Sequence, residues 1–141
     1  WPGRTQPNSV TDAVTINTDL YPTVLDMLGL PLNPEQHVDG ISIKPALLGE
    51  ELTTDRCLHW VFALNKRFRK EGAPEPRASI AILKDGYKFL YWPELKRGEL
   101  YHIKNDIGER NDLSEQLPEK LQQLNKEMKH IPNAAKWLGE G

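Results

Sequence analysis

The sequence is poor in the residues that would hold a small protein together covalently or through a metal. Its 141 residues include a single cysteine, Cys57, which excludes an internal disulfide and a paired-cysteine zinc site. Histidine is scattered: His37, His59, His102 and His130 include no pair at the spacing that sets two imidazoles on one helical face around zinc. Neither sign of charge is in large excess. Eighteen Lys and Arg against twenty Asp and Glu leave a net charge of -2, so the overall field does not steer the chain toward nucleic acid or an anionic membrane. The longest apolar run, Trp60 to Leu64, is five residues, far below the roughly 20 of a transmembrane helix. There is no Gly-rich phosphate loop and no Gly-x-Ser-x-Gly elbow, which removes support for nucleotide binding and for a serine-hydrolase site. The opening Trp1-Pro2-Gly3 has neither an initiator Met nor a basic-then-apolar leader, and reads as a chain cut from something longer.

What is present is the composition of a folded protein, 38% hydrophobic and 27% charged. Residues 1 to 17 read as an irregular lead-in. A helix is expected over about 18–29, with Thr18 as N-cap, Pro22 in the first turns, Leu20, Val24, Leu25 and Leu28 at helical spacing, and Gly29 as the left-handed stop. A Pro-punctuated loop follows, then a short helical piece capped by Ser42 and ending near Gly49. From Cys57 the period changes to that of strands: Cys57 to Ala63, Ser79 to Lys84, Tyr87 to Trp92 and Glu99 to Ile103. Asp85-Gly86 is a strong two-residue hairpin signal, and the short links after it force antiparallel pairing. Ile80 to Leu83 is apolar on both faces, as in a strand covered on two sides rather than at a wet edge. Leu117, Leu121, Leu124, Met128 and Ile131 step by 4, 3, 4 and 3 after Pro118, the stripe of an amphipathic helix over the sheet.

The fold class is therefore α+β: a four-stranded antiparallel sheet packed by a C-terminal amphipathic helix, preceded by a helix-containing segment. Within it the candidates for chemistry are few. Asn105, Asp106, Asn111 and Asp112 lack the alternating spacing of a calcium loop and read as turn residues that bond their own backbone. Cys57, beside Leu58 in an apolar stretch, reads as an inert buried thiol. Lys66, Arg67, Arg69 and Lys70 put four cations around Phe68. They form either a solvated loop between strands or a basic rim that meets an anionic ligand such as a sulfated or phosphorylated sugar.

Two stretches, Thr18-Asp19-Leu20-Tyr21-Pro22-Thr23-Val24-Leu25-Asp26-Met27-Leu28-Gly29-Leu30 and Asp39-Gly40-Ile41-Ser42-Ile43-Lys44-Pro45-Ala46-Leu47, resemble the late segment of the type I, formylglycine-dependent sulfatases. Lys84-Asp85-Gly86-Tyr87-Lys88 and Glu99 to Leu113 resemble that family's closing hairpin, strand and turn, in the same order along the chain. The resemblance implies a C-terminal fragment. Residues 1–52 would end the large α/β, alkaline-phosphatase-like catalytic domain, and residues 53–141 would form the C-terminal subdomain, with the N-terminal catalytic domain of the parent as partner.

It also implies sulfate ester hydrolysis on a carbohydrate or aryl substrate, using a formylglycine and a calcium ion held upstream. The Cys/Ser-x-Pro-x-Arg motif of the modified residue is absent here, since Cys57 is followed by Leu58-His59-Trp60. No catalytic residue, metal ligand or cofactor is thus expected in this chain. On the substrate side, the family's aromatic strand at the active-site mouth maps onto Arg56 to Phe62, with Val61 where a histidine is expected and His59 two positions earlier. His59, Trp60, Arg67 and Arg69 are the rim candidates; a packed strand histidine is the other reading of His59. A phosphoryl hydrolase of the same superfamily and a non-enzymatic glycan-binding module using Trp60, Trp92 and the basic loop are the alternative functions. The resemblance allows a periplasmic, secreted or lysosomal location, and the residues leave the compartment open. Excision would also leave exposed apolar surface, or a self-association that hides it, over residues 1 to about 50.

Overall fold

The computed structural model describes residues 1–52, 54–63 and 78–131. The chain divides into two compact units, Trp1–Thr54 and Asp55–Gly141.

In the first unit a 3-10 turn, Asn17–Asp19, runs directly into helix α1, Leu20–Met27. Thr18 is not the cap expected of it. No side chain caps the first turn of α1: the Asp19 carboxylate reaches back to accept the Ile16 N–H at 2.9 Å, ahead of the 3-10 turn, while the Thr18 hydroxyl donates to the Asp39 carbonyl at 3.4 Å. The helix stops as the sequence suggests. Gly29 is left-handed at φ 69°, the Leu30 N–H reaches back to the Leu25 carbonyl at 2.9 Å, and the Gly29 N–H to that of Asp26 at 3.1 Å, the paired bonds that close a glycine-terminated helix. Helix α2 is one turn, Lys44–Leu47, and the Ser42 hydroxyl oxygen accepts the Lys44 N–H at 3.3 Å.

The second unit is a meander of β1, Leu58–Ala63, β2, Ala78–Lys84, β3, Tyr87–Trp92, and β4, Arg97–His102, all antiparallel and adjacent in chain order. Asp85 and Gly86 have φ 52° and 77°, the two left-handed positions of the hairpin turn that follows the right-handed twist of its strands. That turn pairs Lys84 with Tyr87 and fixes the register outward from there. β4 begins two residues before the expected Glu99. A 3-10 turn at Pro93–Leu95 and a left-handed Lys96 reverse the chain quickly enough for Arg97 to pair with Trp92. β1 correspondingly starts at Leu58, with Cys57 just outside the strand.

Helix α3, Pro118–Glu127, continues into a 3-10 turn, Met128–His130. Its stripe packs on one face of the sheet: Leu124, Met128 and Ile131 are buried with Ile80, Ile82, Phe89 and Leu100, with Leu121 at the margin. Ile131 is reached by the 3-10 turn rather than by the helix. Leu117, expected to head the stripe, is exposed because it stands before the first helical turn. β2 lies inside the sheet, as its apolar run implies. Ile80 and Ile82 are fully buried under α3, whereas Ala81 and Leu83 on the opposite face are half-buried.

Leu124 has no exposed surface, and its burial contributes roughly 1.5 to 3 kcal/mol before entropy. Leu124→Asp loses that contribution and places an unpartnered carboxylate under the sheet. It is expected to destabilise the second unit by several kcal/mol, read as a lost or strongly lowered transition in urea; an unchanged midpoint would remove α3 from the core.

Candidate functional site

Two of the four rim candidates, His59 and Trp60, lie on β1, which with β4 forms the two edges of the sheet. Adjacent residues in a strand face opposite ways, and the register shows what that does here. His59 pairs with Ile82 on the face that carries α3, whereas Trp60 pairs with Ala81 on the other face. His59 is exposed, not packed. Trp60 is 40% and Phe62 62% exposed on the same face. The structure therefore brings Trp60 and Phe62 together and sets His59 across the strand from them. Arg67 and Arg69, with the rest of the basic run at 66–70, lie outside the described residues.

The face that carries Trp60 has further members that sequence reasoning did not assemble. Trp60, Ala81, Leu90 and Glu99 form one cross-strand row. Beside it the Arg97 guanidinium sits 5.9 Å from the centre of the Trp92 ring and pairs with Glu99. The Glu99 carboxylate also accepts the Tyr101 hydroxyl at 2.7 Å. Burial, and then that bond, push the Tyr101 phenol well above its ordinary range. The signal was available: once Asp85-Gly86 is taken as a two-residue turn, counting outward from Lys84 and Tyr87 places Ala81 beside Leu90.

Asp106 and Asp112 are engaged with backbone N–H groups. Asp106 accepts the N–H groups of Arg110 and Asn111, each at 2.8 Å. Asp112 accepts those of Leu100 at 3.1 Å and Ser114 at 2.9 Å. Burial raises the Asp112 pKa, but these N–H bonds outweigh it and hold the carboxyl below its ordinary value. Among the described residues no three His, Cys, Asp or Glu side chains gather in a way that could hold a metal ion. Cys57 is half-buried, and desolvation followed by the charge of Glu127 raises its thiol pKa, so the thiolate is disfavoured.

In the first unit, the two stretches that carry the sulfatase resemblance clamp one another. Asp19 is fully buried and its second carboxylate oxygen accepts the Ile41 N–H at 3.1 Å. Thr23 donates to the Asp19 carbonyl at 2.6 Å and accepts the Ile43 N–H at 2.9 Å. Asp26 takes the Ser42 hydroxyl at 2.6 Å and the Lys44 ammonium at 2.8 Å. Gly40 passes so close to α1 that a Cβ there would lie 2.2 Å from the Thr18 carbonyl oxygen, which excludes any side chain without movement of the backbone.

This α+β architecture, with its mutually clamped motifs and an aromatic-bearing edge strand, is that of the C-terminal region of a sulfatase. Residues 1–134 match the N-sulphoglucosamine sulphohydrolase C-terminal family, and the chain belongs to it. A sulfatase of Formosa agariphila is 32% identical over 145 aligned residues, which take in 98% of this chain and 26% of the relative. A solved 2-O GAG sulfatase is 25% identical, with TM-score 0.57 over 79% of this chain and 24% of its own. A protein solved in complex with its substrate D-glucosamine-2-N,6-O-disulfate shares the fold over 100% of this chain and 28% of its own, at 18% identity and TM-score 0.67. The chain spans about a quarter of the length of these relatives.

The Asp26 clamp has a pH signature. The hydrogen bond from Lys44, then that from Ser42, favours the charged form and lowers the Asp26 pKa below its ordinary 3.8. A depressed carboxylate pKa gives stability that is present above the unfolded value and lost as pH falls through the folded one. Asp26→Asn should therefore destabilise the first unit at neutral pH, and the difference from the parent chain should close below about pH 4. Urea titrations at pH 7 and pH 3 read both arms; a gap of equal size at the two pH values would contradict the assignment.

Proposed function

We propose that this chain is the C-terminal part of a sulfuric ester hydrolase acting on a sulfated carbohydrate or an aryl sulfate. The single observation that carries the reading is the family match across residues 1–134 together with 32% identity to a sulfatase over nearly the whole chain. In this reading residues 1–52 complete the catalytic α/β domain and residues 53–141 form the subdomain beside it. The formylglycine and calcium belong to the N-terminal catalytic part of the longer polypeptide. Asp106 and Asp112 already take two backbone N–H groups each, and among the described residues no three His, Cys, Asp or Glu side chains gather in a way that could hold the ion. This chain's contribution is therefore scaffolding and rim. By itself it is catalytically incompetent, having no Cys/Ser-x-Pro-x-Arg nucleophile.

The rim is assigned to Trp60, His59, Arg67 and Arg69. Trp60 offers an exposed indole face for a sugar or aryl ring, and the arginines offer charge to a second sulfate. His59, on the opposite side of the strand, would serve a different wall of the same mouth.

The longer protein is expected to release sulfate from a sulfated glycosaminoglycan disaccharide or an aryl sulfate, and residues 1–141 to release none. Turnover of a phosphonate monoester with no sulfate release would replace this reading with the phosphoryl-hydrolase one.

Within the active longer protein, Trp60→Ala should raise KM about fivefold on a sulfated disaccharide and leave kcat unchanged, the pattern of a lost binding contact. An unchanged KM would take Trp60 out of the rim.

A further inference from the structure

Among the described residues Phe62 is the most exposed aromatic side chain, at 62%, and the rim assigned to Trp60, His59, Arg67 and Arg69 does not use it. It follows Trp60 by two positions in β1, so both side chains rise from the same face, roughly 6.6 Å apart along the strand. The neighbouring strand is low beside each of them: Phe62 pairs with Ser79 and Trp60 with Ala81. On its other side β1 is an edge of the sheet. Val61, between the two rings, packs against the core on the opposite face and holds the pair from behind. Two aromatic rings thus stand in file, each with a small residue across the strand that leaves room against it.

The charges on this face are spent on other partners. Arg97 pairs with Glu99 and Lys88 with Glu109, and among the described residues the register places no charged side chain next to Trp60 or Phe62. What suits the two rings is an uncharged surface, and the C–H face of a sugar ring is one. An aryl sulfate brings a single ring, which one indole covers. Successive rings of an extended saccharide recur at a spacing close to that of alternate strand residues, so a chain of sugars can use both.

We propose that Trp60 and Phe62 form a two-ring platform for successive sugar rings, which makes the substrate a sulfated oligosaccharide rather than an aryl sulfate. The proposal rests on the sulfatase reading and on the place given to Trp60 at the mouth; it adds Phe62 and the length of the substrate.

The test compares kcat/KM of the longer protein on a sulfated tetrasaccharide and on nitrophenyl sulfate. The parent should prefer the tetrasaccharide, and Phe62→Ala should cut that preference about fivefold through KM. Phe62→Tyr keeps a ring and should restore it; Phe62→Leu keeps apolar bulk without a ring and should not, whereas a structural role would be met by either. An unchanged preference in Phe62→Ala, rescue by leucine as full as by tyrosine, or a parent that prefers nitrophenyl sulfate each overturns the platform and leaves the sulfatase reading in place. If neither substrate yields sulfate, that reading falls and binding decides the platform. An unsulfated tetrasaccharide should then shift the indole emission of the longer protein, and the shift should weaken severalfold in Phe62→Ala; no shift, or an equal one, overturns the platform too.

Discussion

The buried Asp19 carboxylate is the constraint on which the first unit depends. A carboxylate taken out of water is tolerated only when its oxygens find donors, and both donors identified here are backbone N–H groups, Ile16 on one side and Ile41 on the other. Asp19 thereby ties the start of α1 to a segment that lies 22 residues further on and has no regular structure of its own. Thr23 and Asp26, one and two turns along, repeat the tie at Ile43, Ser42 and Lys44. Gly40 follows as a steric consequence: the segment is drawn so near that the Thr18 carbonyl fills the space a Cβ would need. The same ties explain why Leu20, Val24 and Leu28 stand exposed, because they hold Pro22 and Thr23 on the inward side of α1.

The second unit is organised by a different kind of constraint. Two left-handed residues at Asp85-Gly86 set the register of β2 on β3, the 3-10 turn Pro93–Leu95 with left-handed Lys96 sets that of β4, and β1 pairs with β2 in a register of its own. Because side chains alternate, these registers together decide that Ile80, Ile82, Phe89 and Leu100 meet α3, and that Trp60 and Phe62 face the other way. A slip of one residue would exchange those sets and put an indole under the helix. Hydrophobic burial and turn chemistry agree on the register, which is why the sheet could be read from the sequence with errors of only one or two residues at its ends.

Legibility fell off where local rules competed with contacts between distant segments. Thr18 fits the local pattern of an N-cap, yet its hydroxyl goes to the distant Asp39 carbonyl, and the Asp19 carboxylate beside it serves Ile16 and Ile41 rather than the first helical turn. Nothing in the spacing of α1 reveals a partner segment beyond Gly29. Leu117 fits the helical period but stands outside the first turn, and a missing turn of helix leaves a residue without the neighbours its period implies. His59 and Trp60 are adjacent in sequence, and only strand alternation separates them. The signal for that was present in the period-two alternation of β1 itself.

The chemistry of the described side chains fits a part that shapes a site rather than one that moves protons. Tyr101 is held protonated by burial and by its bond to Glu99, and Cys57 by desolvation and the charge of Glu127. Neither supplies a nucleophile at neutral pH. Asp26, Asp106 and Asp112 are anchored by the donors that hold their turns, so drawing one of them into catalysis would loosen the fold around it. Trp60 is different: it stands exposed on the face of β1 opposite the one where Ile80, Ile82 and α3 pack, whereas His59 stands exposed on the α3-bearing face itself. An edge strand fixed from behind by a packed core holds a side chain such as Trp60 in place as a loop does not, which is what the proposed rim role asks of β1.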